Sequence, residues 1–261
     1  MRLRTLEYPA WVASSFASAS FASKPGVVIR NAPYPPQANH ILAALPRKAA
    51  NQRFLAALTS VDLPLGQVLY QPRTPSRHVY FPNDCMVSLL AVADRGRGLE
   101  VGLVGREGMV GVSVALGASS SPVRALVQGA GSAMRMSSAR FSRELKRNRP
   151  LQRSLGRCAH VAMATAMQVA VCNNEHLLEA RLARWLLMTR DRVASDKFTF
   201  TQEFIALMLG VRRVGVTTAA GALQRRGLIR YSRGAVQILD RKRLLAVSCS
   251  CYEVIRQLES A

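Results

Sequence analysis

The stretch GVRRVGVTTAAGALQRRGLI, residues 210–229, opens with two adjacent arginines and closes with two more before a glycine. A guanidinium is planar, always charged and donates paired N–H groups. It therefore suits carboxylates, phosphates and the O6/N7 edge of guanine. Val216, Ala220 and Leu223 recur at i, i+4 and i+7, the signature of one buried helix face. That places Arg212, Arg213, Thr217 and Gly221 on the exposed side, where threonine can meet a phosphate or a thymine methyl. Arg225 and Arg226, about three turns away, fall near a nucleic-acid backbone or a partner domain. A merely solvated charged face is the plain alternative for both arginine pairs.

The elements that must position these groups follow from local chemistry. From Phe198 the order reads as short strand, helix, turn, helix and hairpin. Thr201 is a good N-cap for QEFIALML, whose Phe204, Ile205, Met208 and Leu209 form an apolar stripe. Gly210 permits the sharp turn between two helices. Gly227 supplies a left-handed C-cap, across which Leu228 and Ile229 pack back. IRYSRGAVQIL then reads as two strands about a Ser-Arg-Gly turn, a wing with Arg233 at its tip.

The charge distribution agrees. Lys and Arg total 36 against 15 Asp and Glu, a formal +21. Nine basic residues and a single acid, Asp240, lie between Arg212 and Arg243. Such a local excess binds a polyanion by displacing counterions. The candidate contacts to double-stranded DNA are Thr201, Arg212, Arg213, Thr217, Thr218 and Arg233, with a recognition helix at about 212–226.

Other chemistry finds little support. There is no G-x-S-x-G, H-E-x-x-H or P-loop, and none of the four histidines lies within a few residues of another; the chain does not read as an enzyme. Cysteines 85, 158, 172, 249 and 251 form no C-x-x-C pair and no run with His at metal-ligand spacing. Cys249 and Cys251 could meet a metal or form a bond, but read as ordinary thiols near a chain end. No metal and no cofactor is expected. No run approaches the roughly 18 apolar residues of a membrane helix, so a cytoplasmic protein without membrane contact is expected.

Upstream, residues 1–37 are basic, rich in Ser and Ala, and end in the Pro-rich NAPYPPQ. They read as a disordered extension or the product of a start codon placed too early. Helical spacing follows through Ile41, Leu42, Leu45, Phe54, Leu55 and Leu58. Short apolar runs at 68–70, 79–81, 86–92, 99–104, 125–127 and 133–136 then alternate with turn residues, as in an antiparallel β-roll. Gly102, Gly105, Gly108 and Gly111 read as turn residues with positive φ. After Pro150, Leu151, Leu155, Cys158, Ala162, Thr165, Val169 and Cys172 form an a/d seam of three heptads. It is suited to a partner helix or, alternatively, to the chain's own β-domain. A second helix follows, with Leu178, Leu182, Trp185 and Leu186 as its apolar face.

LPLGQVLYQP…HVYFP, the long helix, and RLARWLL…TQEFIALMLGVRRVGVTTAAGALQRRGLI followed by a wing together resemble the cyclic-AMP receptor protein/fumarate-nitrate regulator (Crp/Fnr) family. The resemblance covers about residues 38–250. It implies an α+β fold: an N-terminal antiparallel β-roll of the cyclic-nucleotide-binding type at 38–150, a central dimerisation helix at 151–173, and a C-terminal winged helix-turn-helix at 174–250. A tail at 251–261 would follow. It further implies a homodimeric, sequence-specific transcription regulator that touches RNA polymerase.

In nucleotide-binding members of that family a Gly-Glu pair holds the ribose and an Arg-Ser/Thr pair the cyclic phosphate. Here GMVGVSVALG places Val112 at the glutamate's position, and SPVRALV keeps Arg124 but has Ala125 for the hydroxyl. Losing both polar partners from a buried site argues against cyclic AMP as the ligand. The N-terminal iron–sulfur cysteines of the oxygen-sensing branch are also absent. In the recognition helix Val214 replaces a glutamate and Thr218 an arginine common in the receptor-protein branch, so a different half-site is expected. Two other readings are a redox or haem sensor using Cys158, Cys172, His78 or His160, and a non-specific nucleic-acid binder.

Overall fold

The computed structural model describes residues 38–92, 98–193 and 195–260; the expected extension at 1–37 lies outside them. Two short helices, α1 (His40–Ala43) and α2 (Ala49–Ala56), lead into β1 (Thr59–Leu63), β2 (Val68–Tyr70), β3 (His78–Pro82), β4 (Met86–Val92) and β5 (Gly98–Val104). Helix α3 (Val112–Ala115), β6 (Val123–Gly129), β7 (Gly131–Ser137) and α4 (Ser138–Lys146) complete this half. The strands form two antiparallel sheets, ordered β1-β7-β3 and β2-β6-β4-β5. The predicted runs all become strands. β1, sequence TSVDL, was not anticipated, having only Val61 and Leu63 to alternate.

Side chains alternate along a strand, and here most strands serve two cores. Tyr80, Val87, Ala125, Val127 and Ala133 point between the sheets. Val79, Phe81, Met134 and Met136 point outward, beneath Phe54, Phe141, Leu151 and Leu155. Met86, Leu90, Leu103 and Leu126 point out from the other sheet into a core shared with the C-terminal half.

Helix α5 (Arg149–Glu175) begins with Pro150 in its first turn, and the Asn148 side chain accepts from Leu151 N at 3.1 Å. Its predicted seam is turned inward. Leu151, Leu155, Thr165, Val169 and Cys172 are buried against this chain's own elements, and Cys158 is half-buried beside the β-roll core. This corrects the dimer seam. The exposed row is Gly156, His160, Met163, Met167, Ala170 and Asn174, again at spacings of 4, 3, 4, 3 and 4. Met163 and Met167 are 54% and 60% exposed, with Val171 beside them at 50%. With apolar side chains on both faces, α5 is the single helix among the described residues long and apolar enough to cross a membrane.

Helix α6 (Leu178–Val193) precedes β8 (Lys197–Thr199), α7 (Gln202–Leu209), α8 (Arg213–Arg225), β9 (Ile229–Ser232), β10 (Ala235–Ile238), α9 (Arg241–Val247) and α10 (Cys251–Ser260). The expected tail is therefore a helix, with Cys251, Tyr252 and Ile255 buried. Arg192 of α6 ties it down: its guanidinium pairs with Glu107 at 2.9 Å and also with Glu259. Of the four glycines expected at positive φ, Gly111 alone is, at +93°.

Gly210 (φ +64°) and Gly227 (φ +70°) sit at helix ends, as their left-handed backbone requires. They differ in surroundings. A Cβ on Gly210 would lie 2.8 Å from Leu99 Cδ1, whereas nothing lies within 4 Å of one on Gly227. Gly227→Ala is expected to cost about 1 kcal/mol for the left-handed residue alone. Gly210→Ala should cost about 1–3 kcal/mol more through steric displacement. Urea unfolding of the two variants measures the difference, and equal losses would show that Leu99 yields freely.

Candidate nucleic-acid interface

The helix-turn-helix is built as its residues demand. Thr201 Oγ1 accepts from Phe204 N at 3.1 Å and caps α7. Its hydroxyl proton remains available to a further acceptor. After Gly210 the chain bends by 103° between α7 and α8. Val216, Ala219, Ala220 and Leu223 are buried, holding α8 against α6 and α7. Leu228 N bonds Leu223 O at 3.0 Å and Gly227 N bonds Gln224 O at 2.9 Å, closing α8 in a Schellman motif.

This anchoring exposes Arg212, Arg213, Thr217 and Thr218 together, with Arg212 as the N-cap of α8. Arg213 pairs with Glu203 at 3.0 Å, with both side chains largely in solvent. An exposed pair contributes little, so Arg213 can exchange Glu203 for a base edge at small cost. Thr217 Oγ1 donates to Gln202 Oε1 at 2.7 Å, joining α8 to the start of α7, and Thr218 Oγ1 donates back to Val214 O at 3.1 Å. Val214 joins this row at 75% exposure. An apolar side chain beside arginines on a solvent face suits a thymine methyl. Sequence reasoning had treated it only as a missing glutamate.

The wing is a three-stranded sheet ordered β8-β10-β9. Arg233 and Gly234 occupy the two central turn positions at φ +50° and +84°. This two-residue left-handed turn leaves Arg233 exposed at the tip. Tyr231 OH donates to Phe200 O at 2.8 Å and fixes the wing to the helix-turn-helix. Arg226 is structural: it pairs with Glu179 of α6 at 2.7 Å, and its carbonyl accepts from Arg243 at 3.1 Å. Arg225 stays exposed.

The three candidate effector positions do not face one space. Val112 starts α3 and is half-buried. Ala125 lies between the sheets, opposite Tyr70. Burial pushes the Tyr70 phenol up to about 12, with Ser121 and the Gly111 backbone against it. Arg124 pairs across the sheet with Leu90, a residue of the outward core, and its Nε donates to Gln71 Oε1 at 2.8 Å. Adjacent strand residues point to opposite faces, so Arg124 leaves the sheet on the face opposite Ala125. Nor do Cys158 and Cys172 point toward a partner, since both lie on the inward face of α5.

A winged helix-turn-helix behind a β-roll and a long helix defines a DNA-binding class of fold. Residues 180–247 match the model of the Crp-like helix-turn-helix domain. Most of the chain superposes on a protein of Eubacterium rectale assigned to the Crp/Fnr transcriptional regulators, with a TM-score of 0.66 at 18% identity. That match covers 81% of this chain and 98% of the other. FixK2 from Bradyrhizobium japonicum follows at 0.64, 16% identity, 74% and 98%. The c-di-GMP-responsive global regulator CLP of Xanthomonas campestris gives 0.62, 18% identity, 73% and 98%. No protein of curated function matches the sequence. The chain carries a Crp-like helix-turn-helix domain within the fold of Crp/Fnr regulators.

One buried carboxyl joins the two halves. Glu100 on β5 accepts from Trp185 Nε1 of α6 at 3.0 Å and from Ser88 Oγ at 2.7 Å. Burial pushes its carboxyl up to about 7 from 4.5, a rise that Ser88, nearby Arg184 and Arg192, and Trp185 restrain. A carboxyl raised in the folded state costs nothing below its unfolded value and destabilises as pH climbs through its folded one. Stability should therefore fall by up to about 3 kcal/mol from pH 4.5 to above pH 7 on this group's account. Glu100→Gln is expected to remove that slope and to be the more stable protein at pH 8. Parallel thermal midpoints of the two proteins from pH 5 to 8 would assign the slope elsewhere.

Proposed function

We propose that this protein is a homodimeric transcription regulator that binds double-stranded DNA at specific sequences, with α8 in the major groove. The observation that carries the reading is the exposed row of Arg213, Val214, Thr217 and Thr218, held rigidly by a helix face that is wholly buried. Arg213 reads guanine, Val214 and Thr217 contact thymine or backbone, and Arg212, Thr201 and Arg233 bind phosphates on either side. The dimer forms along the outer row of α5 centred on Met163 and Met167. Two recognition helices then address half-sites about 34 Å apart or a small multiple of it.

The division of labour is a β-roll input domain at 38–150, a central helix at 151–173 and a DNA-binding domain at 174–250. The protein works in the cytoplasm, contacts RNA polymerase, and binds rather than catalyses. Ala125 in the packed roll and Arg124 turned outward support an effector other than cyclic AMP. No comparable arrangement favours haem at His78 or His160.

Selection of bound genomic DNA fragments at about 150 mM salt, with and without cyclic AMP, tests the reading. A two-fold motif indifferent to the nucleotide is the expected result; salt-sensitive binding without a motif would sink it. Arg213→Ala should lose about 1–3 kcal/mol of preference for the selected motif while non-specific affinity changes little. A uniform loss across sequences would move Arg213 to phosphate contact. Met163→Glu combined with Met167→Glu is expected to yield a monomer by light scattering; a persistent dimer would place the interface elsewhere.

A further inference from the structure

Four metal-ligating side chains converge where the end of α5 meets the junction of α9 and α10. Cys172 and His176 are one helical turn apart at the end of α5, and Cys249 and Cys251 lie at the bend from α9 into α10. The Cys172 and Cys249 sulfurs are 3.4 Å apart, and the Cys251 sulfur is 3.6 Å from His176 Nδ1. All four donor atoms fall within 4.8 Å of one another. Tetrahedral zinc holds sulfur at about 2.3 Å and nitrogen at about 2.0–2.1 Å, which separates its donors by roughly 3.5–3.8 Å. We propose that Cys172, His176, Cys249 and Cys251 form a zinc site that locks the long helix to the C-terminal end of the DNA-binding domain.

The surroundings agree with a bound cation and ionised sulfurs. The three cysteines are a buried cluster of their own, with Ala180 as the apolar residue packed on it. A hydrophobic joint would fill this position with larger side chains. Gln168 Nε2 donates to the Cys251 sulfur at 3.1 Å, as a donor beside a thiolate ligand does. Arg181 and Arg184 of α6 are buried within electrostatic reach of Cys172 and Cys249. Neither guanidinium is within ion-pair distance of a carboxylate among the described residues; Arg181 donates to Leu209 O and Arg184 to the Met188 sulfur, and the Nε of each is unpartnered. Buried cations require a compensating charge. Three thiolates, one neutral imidazole and Zn²⁺ carry a net single negative charge, which offsets one of the two guanidiniums, and Glu100 lies within electrostatic reach of Arg184.

Three thiolates with an imidazole in a closed tetrahedron select Zn²⁺ over harder divalent ions. Binding forms three Zn–S bonds and one Zn–N bond, releases three thiol protons to solvent and transfers no electron. The ion is structural, because its four protein ligands leave no open position.

The test uses the full chain purified under reducing conditions. Metal analysis is expected to find one zinc per chain. After removal of that zinc, Co²⁺ titration should give the visible and charge-transfer absorption of tetrahedral thiolate ligation. Cys249→Ser and His176→Ala should each weaken Co²⁺ binding by more than the about 10–100-fold that loss of a supporting hydrogen bond costs, whereas Cys158→Ser should leave it unchanged. A chelator should lower the thermal midpoint of the parent protein. A parent chain with no zinc and no thiolate–Co²⁺ absorption would overturn the proposal, and so would a Cys172–Cys249 disulfide in its peptide masses. Both readouts come from the unmutated chain, so a variant that fails to fold cannot obscure them.

Discussion

Helix α6 has no solvent face through its centre. All nine residues from Arg181 to Thr189 are buried. A helix covered all round needs a partner on every side, and that demand organises the molecule. The outward residues of β4, β5 and β6 fill one side; α7, α8 and the wing fill the other. Trp185 meets both at once. Its ring stands edge-on to Phe200 at 5.2 Å, while its indole N–H reaches Glu100 on the roll. The two halves therefore share one core, and the carboxyl placed at their junction makes its strength depend on proton concentration.

Legibility from sequence followed how local each signal was. The helix-turn-helix was readable almost residue by residue, because Thr201, Gly210 and Gly227 act on their own neighbours and Val216, Ala220 and Leu223 mark one face. The strands of the roll were legible where apolar residues alternate. β1 was not, because Thr59, Ser60 and Asp62 intervene between its apolar residues.

Where distant parts meet, periodicity stopped short. Both faces of α5 carry the same heptad spacing, and small residues such as Ala162 and Thr165 fit a partner helix or the chain's own sheet equally well. Only the exposure of Met163 and Met167 separates the two faces. Adjacency misled at Arg124 and Ala125, which are neighbours in sequence yet on opposite sides of a sheet. The cysteines were the hardest. Cys172 and His176 do stand at helical i, i+4 spacing, a signal that was available. Their meeting with Cys249 and Cys251 depends on α10 folding back, in a segment that reads as a tail.

The two faces of α8 answer to different demands. Val216, Ala219, Ala220 and Leu223 are committed to the core, where a change of one methylene is felt. Arg213, Val214, Thr217 and Thr218 contribute to no core cluster, and exposed positions of that kind usually tolerate replacement within about 0.5 kcal/mol. If this row reads DNA as proposed, single substitutions there can change the sequence bound at little cost to the fold. The two faces overlap only through exposed polar ties, Thr217 to Gln202 and Arg213 to Glu203, so variation on the outer face leaves the buried one intact.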